Sequence, residues 1–201
     1  MAIRLFRINS RSINPWGDYG DILQNGMTMH SARVGGMLAL ERTGPFIPPI
    51  RLPGIDVILT TEARAQLEAS GLTGFSFAPV FKKLIVELHW EDWDLNSDKP
   101  AEYPDSGEPE GYILGKPHSE GAADALGNLW ELVVPVTIDI VRPTPIVQSF
   151  EELRSDTNRW NGSDLIRGNG FGGILFSERA RDWFVGWWGE YVYFDTFRVA
   201  E

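Results

Sequence analysis

The phrase "ILTTEARAQLE" at residues 58–68 returns 116 positions later as "ILFSERARDWF" at 174–184, and any fold for this chain has to accommodate both. Each copy ends an apolar strand on Ile-Leu, supplies a hydroxyl residue to cap a helix, and sets a glutamate against the positive end of that helix. Each then continues into an aromatic, strand-like segment, "FSFAPVF" or "YVYFDTF". In the first copy Val57 to Leu59 close the strand, Thr60 or Thr61 caps, and Ala63, Leu67 and Ser70 share one helical face. Gly71 suits the residue just past the helix, and Gly74 opens the next turn. A duplication and a local solution reached twice both account for the match. Either way a strand–helix–strand unit is used twice, which points to an α+β fold.

The other segments fit that class. Ala2 to Ile8 reads as a strand, followed by a turn-rich stretch through Asn14-Pro15-Trp16-Gly17 and Asn25-Gly26. "GGMLALERTGPFIPPIRLPG" begins as a short strand and ends as a connection in which Pro45, Pro48, Pro49 and Pro53 forbid a helix. "FSFAPV" and "KKLIVELHW" read as two strands. In the second, Leu84, Val86, Leu88 and Trp90 share one face, and Ile85, Glu87, His89 and Glu91 the other. "PHSEGAADALGNLWELV" predicts a helix capped by Ser119, with Ala122, Ala125, Leu126, Leu129 and Trp130 on its apolar side. "WELVVPVTIDIVRP" turns back into strand, and a short helix is expected around Phe150 to Leu153. The expected molecule is a single domain over residues 1–201. It has an antiparallel or mixed sheet of about six to eight strands, with two or three helices packed on it. An exposed acidic loop is expected at about 92–111.

That loop holds most of the charge. Residues 87–110 carry nine acids (Glu87, Glu91, Asp92, Asp94, Asp98, Glu102, Asp105, Glu108 and Glu110) against Lys99 alone, so they account for −8 of a net −10. Past Trp90 the inward parity meets Asp92 and Asp94, so the strand must emerge into water there, and Pro100, Pro104 and Pro109 stiffen the loop beyond. Phosphates would be repelled by such a surface, so neither nucleic acid nor an anionic membrane is the expected partner. A basic protein is. Cysteine is absent, which excludes disulfides, thiolate metal sites and a cysteine nucleophile. The opening "MAIRLFRINSRS" alternates as an edge strand does and lacks the apolar core of a secretion signal, so a cytoplasmic protein is expected.

Catalytic motifs are not found. "GNGFGG" at 168–173 satisfies G-x-G-x-x-G by spelling, but a strand comes next where a dinucleotide fingerprint needs a helix, so a hairpin-type loop is the reading. His30, His89 and His118 show no paired-ligand spacing, and no metal or other cofactor is expected. Near the C-terminus Trp187 and Trp188 read as core closure, whereas Tyr191 and Tyr193 lie on the outward parity of a strand, where aromatics serve as contact anchors.

Three phrases carry a resemblance: "LERTGPFIPPIRLPG", "LTTEARAQLEASGLTGFSFAPVFKKLIVELHWEDWD" and "GYILGKPHSEGAADALGNLWEL". Over about residues 38–132 they resemble a group of uncharacterised bacterial proteins related to the Myxococcus double-CxxCG paralogues and to immunity-like proteins encoded beside polymorphic toxins. "ILFSERARDWF" is similar to the same group's cap-and-helix phrase. The resemblance implies a small cytosolic protein that binds and neutralises a cognate toxin. This chain lacks the paired cysteines of the double-CxxCG branch, so a zinc-linked role does not transfer.

The expected function is therefore a non-enzymatic, immunity-type binding protein that occludes a basic partner. Glu91, Asp92, Trp93, Asp94, Asp98, Glu102 and Asp105 are its expected contacts, Trp90 braces the loop root, and Tyr191 and Tyr193 are further candidates. The alternative is a carbohydrate-active enzyme or sugar-binding protein with an acid pair from the same region and tryptophan platforms.

Overall fold

A computed structural model of the chain describes residues 4–12, 16–43, 46–88, 93–94, 96–99, 101–102, 110–141, 154–156, 160–169 and 173–197. In chain order its elements are β1 (Leu5–Ser10), α1 (Gly17–Asn25), β2 (Arg33–Val34), β3 (Met37–Arg42), β4 (Ile50–Arg51), β5 (Ile58–Thr60), α2 (Thr61–Glu68) and β6 (Ser76–Ile85). Next come α3 (Gly111–Leu114), α4 (Glu120–Ala125), β7 (Leu129–Val133), β8 (Thr137–Val141), β9 (Arg154–Asp156), β10 (Leu165–Asn169), β11 (Ile174–Ser177), α5 (Glu178–Trp188) and β12 (Val192–Phe197). This is an α+β protein with two sheets of six strands each. The contacts within the chain group into two compact units. One comprises Met1–Asn9, Ala65–Phe77 and Leu132–Glu201, the other Ser10–Arg64 and Ala78–Glu131.

The first unit holds the sheet β12-β1-β11-β10-β8-β9. Strands β10 and β11 form an antiparallel pair, Leu165 opposite Phe176, so the glycine-rich "GNGFGG" joins a hairpin. Strand β8 runs parallel to β10. Both faces are covered, which explains why "ILF" is apolar throughout instead of alternating. Leu5, Ile138, Ile166 and Leu175 form one buried cluster. On the other face Phe176 meets Phe184 of α5 edge-on at 4.9 Å and Phe194 at 5.2 Å. Burying a side chain such as Phe184 stabilises the fold by about 2–3 kcal/mol. Helix α5 starts where Ser177 accepts a hydrogen bond from the Ala180 N–H. Gly74, at φ +93°, could carry no side chain, since a Cβ would lie 2.7 Å from that of Ser163.

The second unit holds the sheet β2-β3-β6-β7-β5-β4. Gly35 and Gly36, both at positive φ, make the tight turn between β2 and β3 that a two-residue hairpin demands. Outside the strands, Met27 exchanges backbone hydrogen bonds with Glu41 at 2.7 and 2.9 Å. Nearby, Asn25 Oδ1 accepts from Leu52 N at 3.0 Å, and Thr28 Oγ1 lies 3.1 Å from Pro53 O. The segment 25–28 thus links β3 to the chain leaving β4, and Leu38, Leu40, Ile58, Ile85, Ala123 and Leu129 form a buried core cluster of this unit. Gly26, at φ +79°, permits that approach: a Cβ there would come within 2.8 Å of Glu41 O. Helix α4 is capped by Ser119, which accepts from Ala122 N, as expected.

Three elements differ from the sequence reading. The helix capped by Ser119 ends at Ala125, and Leu129 and Trp130, expected on its apolar side, belong to strand β7. Helix α1 occupies part of the supposed turn-rich stretch, and "FSFAPV" and "KKLI" form one strand, β6, not two. The short helix expected around Phe150 to Leu153 lies outside the described residues.

Candidate functional site

Regular strand structure ends at Ile85, and the chain beyond it stays fastened to α1 in the second unit. Val86, Leu88 and Trp93 are buried together with Trp16, Tyr19, Leu23, Met27 and Ile113. Trp93 is 7% exposed and meets Trp16 edge-on at 6.1 Å. Expected on the contact surface, it instead holds the acidic segment down, and it offers a partner little area. Two further ties come from α1 and its preceding residue: Trp16 Nε1 donates to Ser97 O at 2.7 Å and the Tyr19 hydroxyl to Glu102 O at 3.0 Å. The backbone is tightened locally as well. Asp94 Oδ1 accepts from Asn96 N at 3.0 Å, the short-range turn that aspartate favours, and Ser97 Oγ donates to Lys99 O at 2.6 Å.

The acids of this segment do not all face the same fate. Asp94 and Asp98 are exposed. Glu102 is only partly exposed and pairs with Lys116 Nζ at 2.6 Å, so its charge is largely cancelled locally. Glu87 is exposed and accepts from the Ser119 hydroxyl at 3.0 Å. Trp90, Glu91, Asp92 and Asp105 lie outside the described residues. In the first unit, Tyr193 is 43% exposed and Tyr191 partly buried, flanking a buried Val192. The paired tryptophans separate: Trp188 is buried, while Trp187 is 57% exposed.

The second unit also carries a cleft of about 430 Å³ that the sequence does not announce, lined in part by Thr28, His30, Ser31, Asp56 and Glu110. Met29, His30 and Ser31 run consecutively at φ 43°, 58° and 63°, a conformation disfavoured for residues bearing a Cβ. Buried Asp56 holds that turn. Its Oδ2 accepts from Thr28 Oγ1 at 2.7 Å, and Ser31 Oγ donates to Oδ2 at 2.8 Å and Oδ1 at 2.9 Å. Both Asp56 oxygens are therefore taken up by hydroxyls of the turn itself. Residue types give no advance sign of three successive left-handed residues, so no sequence signal marks the cleft.

The histidines stay apart in role. His118 Nδ1 accepts from Ile85 N at 2.9 Å, His30 is exposed at the cleft, and His89 lies outside the described residues. Among the described residues no three His, Asp or Glu side chains gather in a way that could hold a metal. No helix among them is long and apolar enough to cross a membrane. No protein-family model matches the chain, and no curated protein matches it.

Proposed function

We propose that this chain is a non-enzymatic binding protein of the immunity type, which docks a basic protein, a cognate toxin, against its acidic segment. One observation carries the reading: the segment is pinned to α1 by Trp93, Trp16 and Tyr19, and Asp94 and Asp98 still face outward. A fixed backbone presenting like charges loses little entropy on binding and steers an oppositely charged partner. Acting inside the cell that makes the toxin, such a protein works in the cytoplasm. The resemblance to immunity-like proteins points the same way. A carbohydrate-active protein needs two carboxylates across a cleft and an aromatic platform. The cleft has Asp56 and Glu110, but its described lining includes no tryptophan, and Asp56 is committed to Thr28 and Ser31.

The test is capture from extract of the source cell at low and at high salt, with the wild type and with D94K/D98K. A basic protein should be retained by the wild type at low salt and released at high salt, with the reversed variant retaining far less. Equal retention by both would overturn the proposal.

A further inference from the structure

Six charged residues are buried among those described: Glu41, Arg42, Arg51, Asp56, Glu131 and Asp164. Each of the four acids meets a donor. Glu131 is bound by both Nη atoms of Arg33 at 2.9 and 2.6 Å, Glu41 by Lys83 at 2.5 Å, Asp56 by two hydroxyls and Asp164 by Arg179. The two arginines have no such answer. Each is 1% exposed, and neither forms an ion pair among the described residues. Their placement comes from strand register. Arg42 stands opposite Ile85 and Arg51 opposite Ile58, and both partners belong to the apolar cluster of the second unit. Paired residues share a sheet face, so both arginines leave the sheet on the face that carries that cluster.

The unpaired atoms have a pattern. Arg42 spends Nη1 on the carbonyls of Leu23 and Thr43, both at 3.2 Å, and leaves Nε and Nη2 without a partner. Those two nitrogens form the side edge of the guanidinium fork, which grips two oxygens of a planar or tetrahedral oxyanion at once. Arg51 leaves Nε, Nη1 and Nη2 unpaired, so its whole fork is available. We propose that Arg42 and Arg51 together form a receptor for a phosphate-type dianion. Two fixed positive charges are matched by two negative ones, and the five unpaired nitrogens by the oxygens of one tetrahedral group. Burial, and then the neighbouring Arg51, press the Arg42 guanidinium well below its ordinary range, and burial brings Arg51 down to about 10. A bound dianion relieves both. The 430 Å³ cleft comes up to Arg42 at Gly26, whose absent Cβ position lies 3.3 Å from Arg42 Cβ, and neither arginine is part of its described lining.

Thermal unfolding in inorganic phosphate tests this, with chloride and malonate at matched ionic strength as controls. Calorimetric titration of the wild type with phosphate supplies the stoichiometry. The receptor predicts one phosphate per chain and a Tm rise of about 5 °C at saturation that chloride does not reproduce. R42M and R51M each remove a buried, unpaired charge, so they should melt no lower than the wild type without phosphate and lose the phosphate response. Should either variant not fold, the wild-type titration decides the question by itself. A response equal in chloride, a response confined to malonate, no calorimetric binding, or a phosphate effect that survives R51M would each overturn the proposal.

Discussion

Asp164 shows how one side chain can hold several segments. It is nearly inaccessible, and its oxygens accept from Thr73 N at 2.9 Å, Thr73 Oγ1 at 3.0 Å, Ser177 Oγ at 2.9 Å and Arg179 Nε at 3.0 Å, with Arg179 Nη2 closer still. Burial pushes its carboxyl up, but the hydrogen bonds from Arg179, Ser177 and Thr73 together outweigh burial and hold it below the usual carboxylate range. A carboxylate lowered in the folded state contributes stability that is present above its unfolded pKa and disappears as pH falls through the folded one. Asp164→Asn should therefore destabilise the fold at neutral pH and flatten the stability loss that the wild type shows below about pH 4. Because Arg179 is exposed and regains water when released, the neutral-pH loss should be about 2 kcal/mol. Urea unfolding from pH 7 down to pH 3 measures both; parallel pH profiles for the two proteins would contradict the assignment.

Among elements, the two capped helices show both what the repeated phrase specifies and where its copies part. In α5 the cap is Ser177, which accepts from Ala180 N and also donates to Asp164. At the start of α2 the hydrogen bond to Ala63 N is accepted by Thr60, one position earlier than strict correspondence requires, and Thr61 turns to Asn128 O and Trp130 Nε1 instead. Ser177→Ala should cost about 1–2 kcal/mol, and combined with Asp164→Asn it should cost less than the sum, because the two share a bond. A double-mutant cycle in urea checks this. Elements with local signals are legible in this way: the cap at Ser119, the strand β3 and the hairpin around "GNGFGG". Helix α1 is not, since "GDYGDILQN" pairs two glycines with polar residues, and burial of Tyr19 and Leu23 is what makes it a helix. Strand β6 contains Pro79, yet Pro79 precedes the first rung with β3, Val80 opposite Leu38, and breaks no bond of that ladder. The candidate site divides in the same manner. Acid density can be counted, but the direction of Trp93 depends on α1, the element that sequence pattern does not reveal.

For the molecule as a whole, the proposed docking turns on where charge is displayed and where it is spent. The chain concentrates −8 of its −10 in residues 87–110, and Glu102 is offset by Lys116, while Asp94 and Asp98 are exposed on a segment that Trp93 keeps in place. The most direct measurement is the association rate of the captured partner by stopped flow over a range of ionic strength, for the wild type, D94K/D98K and E102Q. The wild-type rate should fall steeply with salt. D94K/D98K should be about ten-fold slower at low salt and converge with the wild type at high salt, and E102Q should stay close to the wild type. Equal low-salt rates for the wild type and D94K/D98K would contradict electrostatic docking on this segment.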